Sequence, residues 1–333
     1  MELFRPHPLL RSGHLQTVYG ALVTGNLMPY AARPLVVRLA DGEALVVHEE
    51  QATELADDAP LVILVHGLGG DHRSPYLRRI AHKLSADGLR VWRVDLRGCG
   101  AGLEHGYRPS HAGASNDLAA VVSAAQTRYP AAPMAIAAFS LGGNILLKML
   151  GELAENPNQS EVDLRMILRA VAVAPPADLH GCSMNMERMT RMLYTRYYLK
   201  LLDKQVRARA ARWEPWRTIR QSALPRTIRQ FDDWYTSPLA GFANTDEYYT
   251  LSSSTRWFDK ITVPTRLLID YHDPIIPFAA FGQLKFSPSV SIETTRFGGH
   301  LGYLALDRRG GIRRWMDEWV RHTLREAFQP ESR

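Results

Sequence analysis

Cysteine is scarce: Cys99 and Cys182 are the only two in 333 residues. Two cysteines cannot build a disulfide framework or a cysteine-based zinc site. They fit a reducing compartment, and the expected location is cytoplasmic. No apolar run is long enough to cross a bilayer. The first residues, Met1-Glu-Leu-Phe-Arg-Pro-His7, have an early acid and none of the apolar stretch of a signal peptide. Neither sign of charge dominates. Forty basic against 34 acidic residues leave a net +6, and charged residues are an ordinary 22%. This reads as a basic, solvated surface without a nucleic-acid partner. Weak association with an anionic membrane surface is the most that the charge suggests. In the polar stretch 101–115, His105 and His111 have no carboxylate at ligand spacing, so they read as surface or loop-packing residues and no metal is expected.

What the chain does have is apolar content, 46% hydrophobic residues, enough for one large core or two modest ones. Residues 1–33 read as an irregular arm on that core. In it His14, Gln16 and Thr17 either line a pocket or, the plainer reading, tie the arm down. Leu35–Leu39 and Ala44–His48 flank an Asp-Gly turn and predict an antiparallel hairpin. Leu61-Val-Ile-Leu-Val65 is continuously apolar, as a strand buried on both faces of a parallel sheet would be. It runs into His66-Gly-Leu-Gly-Gly70. Ser74 as cap and Pro75 as first residue then start a helix that ends near Gly88. Val91–Leu96 is the next strand, which completes a βαβ unit. Asn116-Asp117 reads as the cap of a helix ending near Pro130.

The stretch Ala135-Ile-Ala-Ala-Phe-Ser140-Leu-Gly-Gly-Asn144 organises the rest. An apolar strand ends in a serine, glycines follow, and a helical pattern begins. Small residues two positions either side let such a turn close. Here they are Ala138 and Gly142, and Ala138 departs from the usual Gly-x-Ser-x-Gly. After the strand Met166–Ala174, residues 177–258 change style, with methionine, arginine and aromatic residues at helical spacings. They read as a helical lid inserted into a single domain spanning 1–333. Its stripe of Met184, Met186, Met189, Met192, Leu193, Tyr197 and Leu201, followed by Trp213, Trp216, Phe231, Trp234 and Tyr235, would face a pocket. The basic run Arg207–Arg220 would face outward. Strands Thr265–Asp270 and Val290–Arg296 and an amphipathic helix from about 313 to 328, with Trp315, Trp319 and Leu324 inward, close the domain.

A serine hydroxyl needs a base, and the base needs an orienting group. Ser140, Asp273 and His300 each follow a strand, in the chain order Ser…Asp…His of an α/β-hydrolase triad. Ser140 would be the nucleophile, His300 the base and then acid, and Asp273 the orienting carboxylate. Asp270 is the rival acid. His272 is a poorer base because it directly precedes Asp273. The Gly-rich loop 66–70 lacks the Lys-Ser/Thr of a phosphate loop and the register of a dinucleotide fold. It fits half of an oxyanion hole better, with the backbone N–H groups of Leu68 and Leu141 as donors.

The motifs Gly13-His-Leu-Gln-Thr17, His66-Gly-Leu-Gly-Gly70 with Ser74-Pro-Tyr76, Arg97-Gly-Cys-Gly100, Phe139-Ser-Leu-Gly-Gly-Asn144, Glu247-Tyr-Tyr249, Asp273-Pro274 and Gly299-His-Leu-Gly-Tyr303 cover nearly the whole chain. In combination they resemble the YheT-like branch of the α/β-hydrolase superfamily, related to abhydrolase-domain lipases and medium-chain fatty acid ethyl ester synthases/esterases. The resemblance implies a mostly parallel sheet with helices on both faces. It also implies a serine hydrolase of carboxylic esters with Ser140, Asp273 and His300 as its triad and no cofactor. The lid suggests short-to-medium acyl esters as small-molecule substrates. Two other readings stay open: an acyltransferase that passes the acyl group to an alcohol, and a non-catalytic ligand-binding member of the fold. Oligomeric state is not legible.

Overall fold

The computed structural model describes residues 1–25, 31–50, 55–212, 225–307 and 309–329. Eight strands form one mixed sheet in the order β1-β2-β4-β3-β5-β6-β7-β8. β1 (Ala32–Arg38) and β2 (Ala44–Glu50) are the expected hairpin, and β2 also runs antiparallel to β4 (Arg90–Asp95). From β4 onward all pairings are parallel: β3 (Leu61–Val65), β5 (Met134–Phe139), β6 (Ile167–Val173), β7 (Thr265–Asp270) and β8 (Val290–Thr295). β3 and β5 are buried at every position, which is why their sequences run apolar without alternation, and β4 is buried throughout although it carries Arg90, Arg93 and Asp95. This is the α/β-hydrolase arrangement.

The helices that accompany the strands are α1 (Gly13–Leu22), α2 (Pro75–Ala86), α3 (Ser115–Arg128), α4 (Leu141–Glu155), α5 (Leu179–Glu187), α6 (Met192–Ala210), α7 (Thr245–Ser252) and α8 (Trp315–Glu326). α2 starts at Pro75 as expected, but the Ser74 hydroxyl does not cap it; it accepts from the Asp71 N–H at 3.3 Å. α3 begins at Ser115, after Ala114, so Asn116 and Asp117 lie inside its first turn. Asp117 is spent instead on Arg97, at 2.7 and 2.9 Å. The arm 1–33 is not irregular throughout, because α1 occupies ten of its residues. A small hairpin, β9 (Leu304–Leu306) with β10 (Ile312–Arg314), precedes α8, whose Trp315, Trp319 and Leu324 are buried.

Between β6 and β7 the chain leaves the sheet for α5, α6, a segment Ile228–Phe231 that continues through a π-helical turn Asp232–Thr236, and α7. Met186, Leu202, Phe231 and Tyr235 are buried there, whereas Met184, Met189, Met192, Leu193 and Tyr197 are exposed. The stripe thus splits between two faces. Trp213 and Trp216 lie outside the described residues, as does the run from 213 to 220. Arg209 does not face outward: it is 2% exposed and donates to the carbonyls of Tyr107 and Arg108 at 2.7 and 2.6 Å.

Candidate active site

β5 ends at Phe139 and α4 begins at Leu141, so Ser140 alone makes the turn. It sits at φ 50°, ψ −122°, a conformation that is costly for any residue with a side chain. The surroundings hold it there. Its N–H donates to Val173 O at 2.8 Å, and the first turn of α4 closes on its carbonyl. A Cβ at Gly142 would lie 2.5 Å from the carbonyl oxygen of His66 and 3.1 Å from that of Val65, so this position takes no side chain. Ala138, the departure from the usual pattern, lies wholly inside the sheet, paired with Val65 and Ala172.

The structure brings Ser140, His300 and Asp273 together. His300 Nε2 is 3.0 Å from Ser140 Oγ, and His300 Nδ1 is 2.9 Å from Asp273 Oδ2. All three are buried, at 8%, 5% and 8% exposure, so their hydrogen bonds are shielded from water. Asp273 Oδ1 accepts the N–H groups of Ile275 and Ile276 at 2.7 and 3.0 Å, which fixes the carboxylate.

Asp270 lies elsewhere. Its oxygens accept from Thr295 Oγ1 and Gly298 N–H at 2.7 Å and from His272 N–H at 2.9 Å. Burial raises its pKa although these donors oppose the shift. It is a brace for the loop that carries His300. The His272 ring stacks on Phe297, with centroids 4.4 Å apart.

The N-terminal arm completes the brace. Thr17 Oγ1 accepts the His300 N–H at 2.8 Å and donates to Gly13 O at 2.7 Å. Gly299 has φ 61°, and a side chain there would run into Gly13 and Thr17. Gln16 exchanges two hydrogen bonds with the backbone of Leu304, at 2.9 and 2.6 Å. So Gln16 and Thr17 tie the arm down, and Thr17 does so by holding His300. His14 bonds Tyr194 at 2.8 Å and joins α1 to α6. The Gly-His-Leu-Gln-Thr motif carried this signal, but no local pattern shows a contact across 283 positions.

The loop after β3 faces the serine: a Cβ on Gly67 would come within 3.0 Å of Ser140 Cβ. Leu68 and Leu141 follow the two residues in that approach, and both line the cavity at Ser140. That cavity, about 130 Å³, is walled in part by residues of the segment between β6 and β7. Leu96, Leu179, Met186, Tyr198, Leu202 and Phe231 form much of its wall. Both cysteines line it as well. Burial pushes the Cys99 thiol up to about 12 and Cys182 well above its ordinary value, which disfavours the thiolate at both. His111 also lines the cavity rather than serving only to pack a loop. Asp232, on the insertion side, is raised to about 6 by burial, against hydrogen bonds from Thr236 and Tyr249.

Among the described residues, His48, His72 and Asp95 approach closely enough to be weighed as metal ligands. Their geometry is that of a hydrogen-bonded clamp. The two imidazoles are stacked, centroids 3.5 Å apart and planes 18° from parallel. Imidazole lone pairs lie in the ring plane, so a cation in one plane would stand well out of the other. Instead, Asp95 accepts from His48 Nε2 at 2.9 Å, His72 Nδ1 at 2.7 Å, and the N–H groups of His72 and Ala101 at 2.7 and 2.8 Å. Burial pushes the Asp95 carboxyl up, but the two histidines outweigh it and hold the group below the usual carboxylate range.

The chain is similar to known proteins over most of its length. The family model Hydrolase_4, described as serine aminopeptidase S33, matches residues 56–284. YheT of Escherichia coli strain K12, named as an esterase, is 29% identical over 87% of this chain and 84% of its own. A monoacylglycerol lipase of Saccharomyces cerevisiae is 30% identical over 79% of this chain and 58% of its own. Among solved structures, the Pyrococcus furiosus esterase Pf2001 superposes with a TM-score of 0.57 at 16% identity, covering 91% of this chain and 96% of the other.

Proposed function

We propose a function for this chain from one premise: it belongs to the Hydrolase_4 family and is a serine-hydrolase-type α/β-hydrolase. Within that family it is an enzyme of the carboxylic ester hydrolase class, in line with the esterase and lipase names of its relatives. The observation that carries the reading is the relay from Asp273 Oδ2 through His300 to Ser140 Oγ, with steps of 2.9 and 3.0 Å and with Ser140 in the wall of a largely apolar cavity.

The chemistry follows from the geometry. Ser140 Oγ attacks the ester carbonyl as His300 Nε2 takes its proton. Asp273 holds the Nδ1–H tautomer and stabilises the imidazolium. The N–H groups of Leu68 and Leu141 receive the oxyanion. His300 then protonates the leaving alcohol. Water, deprotonated by the same ring, releases the acid from the acyl-enzyme. No step calls for a cofactor. The insertion 177–258 acts as a lid whose underside at Met186, Leu202 and Phe231 receives a short-to-medium acyl chain.

No helix among the described residues is long and apolar enough to cross a membrane. Exposed Leu15, Leu22, Met189 and Leu193, with Arg191 bonding His14 among them, offer a rim for weak association with an anionic membrane surface. Two free, buried cysteines go with a cytoplasmic site of action.

Intact mass after exposure to a fluorophosphonate tests the reading. One adduct is expected on the wild type and none on Ser140→Ala, whose turnover should fall about a million-fold if the three groups act as a unit. An adduct on Ser140→Ala, or wild-type turnover by it, overturns the proposal.

A further inference from the structure

Pro109, Ser110 and His111 form one wall of the cavity at Ser140. Their loop is held rigidly from three sides. Arg209 donates to the carbonyls of Tyr107 and Arg108. The Ala112 N–H donates to the Tyr248 hydroxyl at 3.0 Å. The Ala112 carbonyl accepts from Asn144 Nδ2 at 3.0 Å, and Asn144 stands in the first turn of α4, its own N–H reaching Ser140 O at 3.3 Å. The loop therefore keeps a fixed position relative to the nucleophile candidate, as a built subsite requires.

Two polar groups on this loop are not used up by the protein. Ser110 Oγ is buried and has no hydrogen-bond partner among the described residues, an arrangement that calls for an explanation. His111 Nδ1 accepts the Gly113 N–H at 3.2 Å, which places the ring proton on Nε2 and makes that atom a donor. Burial, then Arg97 and Lys148, push the His111 pKa down to about 4, so the ring keeps this neutral form at neutral pH. Phe242 and Tyr248 meet the ring edge-on at 5.5 and 6.1 Å and orient it. The carboxylate in the cavity lining, Asp232, is already engaged by Tyr249 at 2.7 Å and by Thr236.

We infer that Ser110 and His111 form a hydroxyl-binding subsite in the cavity, selecting carboxylic esters that carry a free hydroxyl in the alcohol or the acyl part, away from the scissile bond. A hydroxyl both accepts and donates, and so complements the two groups chemically. Its oxygen accepts from His111 Nε2–H, and it exchanges a hydrogen bond with Ser110 Oγ. The inference rests on the ester-hydrolase reading of Ser140 and adds a choice of substrate to it.

The test uses the full chain and three esters of equal length: butyl hexanoate, 4-hydroxybutyl hexanoate and butyl 6-hydroxyhexanoate. The wild type should favour one hydroxylated ester over the plain one by about tenfold in kcat/KM, the worth of one or two hydrogen bonds. Which ester it favours tells whether the hydroxyl belongs to the alcohol or the acyl side. Ser110→Ala and His111→Phe should bring that ratio toward one, and His111→Gln, which keeps an N–H donor, should restore part of it. Ser110→Ala removes an oxygen without a partner and should leave the fold intact, and fluorophosphonate labelling confirms an assembled site in each variant. A wild type that labels and cleaves all three esters equally overturns the subsite alone, as does a ratio that survives Ser110→Ala and His111→Phe. A wild type that neither labels nor cleaves any of them overturns the ester-hydrolase reading beneath it.

Discussion

Replacing Asp273 by asparagine changes one atom and should disable the relay without disturbing the fold. The carboxylate has two jobs: Oδ1 accepts from the N–H groups of Ile275 and Ile276, and Oδ2 faces His300 Nδ1. An amide has only one oxygen. With that oxygen held by two backbone donors, the NH₂ group turns to His300. NH₂ donates, so Nδ1 must accept, and the ring proton moves to Nε2, where it faces Ser140 Oγ. The serine proton then has no acceptor. Turning the amide over would restore the tautomer but leave two buried N–H groups against NH₂. At about 1–3 kcal/mol each, or ~2–6 kcal/mol together, this holds the productive form to between roughly one molecule in 30 and one in 20,000. Initial rates on p-nitrophenyl butyrate should show kcat lowered by at least about 30-fold with KM little changed, near the upper end if the loss matches the ~10⁴-fold seen for this exchange in serine protease triads. Thermal melting supplies the control, because the contacts of residue 273 with Ile275 and Ile276 survive. A folded Asp273→Asn protein with kcat within threefold of wild type would refute the reasoning. Asp270→Asn is the counter-case. Its carboxylate bonds no triad side chain, and the exchange should cost about 1–3 kcal/mol of stability through the Thr295, Gly298 and His272 donors.

Three more outcomes are expected. Gly142→Ala places a Cβ 2.5 Å from the His66 carbonyl oxygen and should cost about 1–3 kcal/mol while slowing fluorophosphonate labelling; a variant unchanged in both Tm and labelling rate contradicts the elbow packing. Asp232 titrates near 6 in the folded chain against 3.8 for the free group, so the native state holds more protons than the unfolded chain between those values. The contribution of Asp232 to stability therefore falls as pH rises through that window, by ~3 kcal/mol at about 1.4 kcal/mol per pH unit, and Asp232→Asn should lack this component. Calorimetry from pH 4 to 7 checks this, and a constant Tm difference between the two proteins across that range would exclude it. In a p-nitrophenyl ester series turnover should peak between butyrate and octanoate; a peak at acetate with octanoate rejected would remove the short-to-medium acyl pocket.

Strands buried on both faces announce themselves, because Leu61–Val65 and Met134–Phe139 must be apolar at every position. The order Ser140, Asp273, His300 was legible for a related reason: each stands just past a strand of one sheet, so sequence order becomes spatial neighbourhood. What escaped the sequence was held by distant partners. Thr17 reads as any threonine until the His300 backbone is placed against it. Arg209 belongs to a basic run and would be solvated on composition alone, yet the carbonyls of Tyr107 and Arg108 draw it inward. His111 and His72 are ordinary loop histidines in sequence. One proves to line a cavity and the other to clamp a carboxylate, because loops 101–115 and 66–74 fold onto the ends of β4 and α4.

That clamp bears on which N–H groups serve the proposed oxyanion hole. Asp95 draws in His48, His72 and the backbone of Ala101, so the loop after β3 is fixed from behind. Within the loop, the Gly67 N–H is already spent on the Tyr76 hydroxyl at 3.0 Å, and His66 is locked between the Leu96 N–H at 3.2 Å and the Gly67 carbonyl at 2.7 Å. The donor nearest in sequence after these is the Leu68 N–H. The proposal joins it to the N–H of Leu141, the residue that starts α4 after the left-handed turn at Ser140. An oxyanion site works by having its donors in place before charge develops. In the proposed hole the Leu68 donor is carried by a loop that Tyr76 and Asp95 hold from outside the cavity lining, so changes at Tyr76 or Asp95 should be felt in kcat before they are felt in KM.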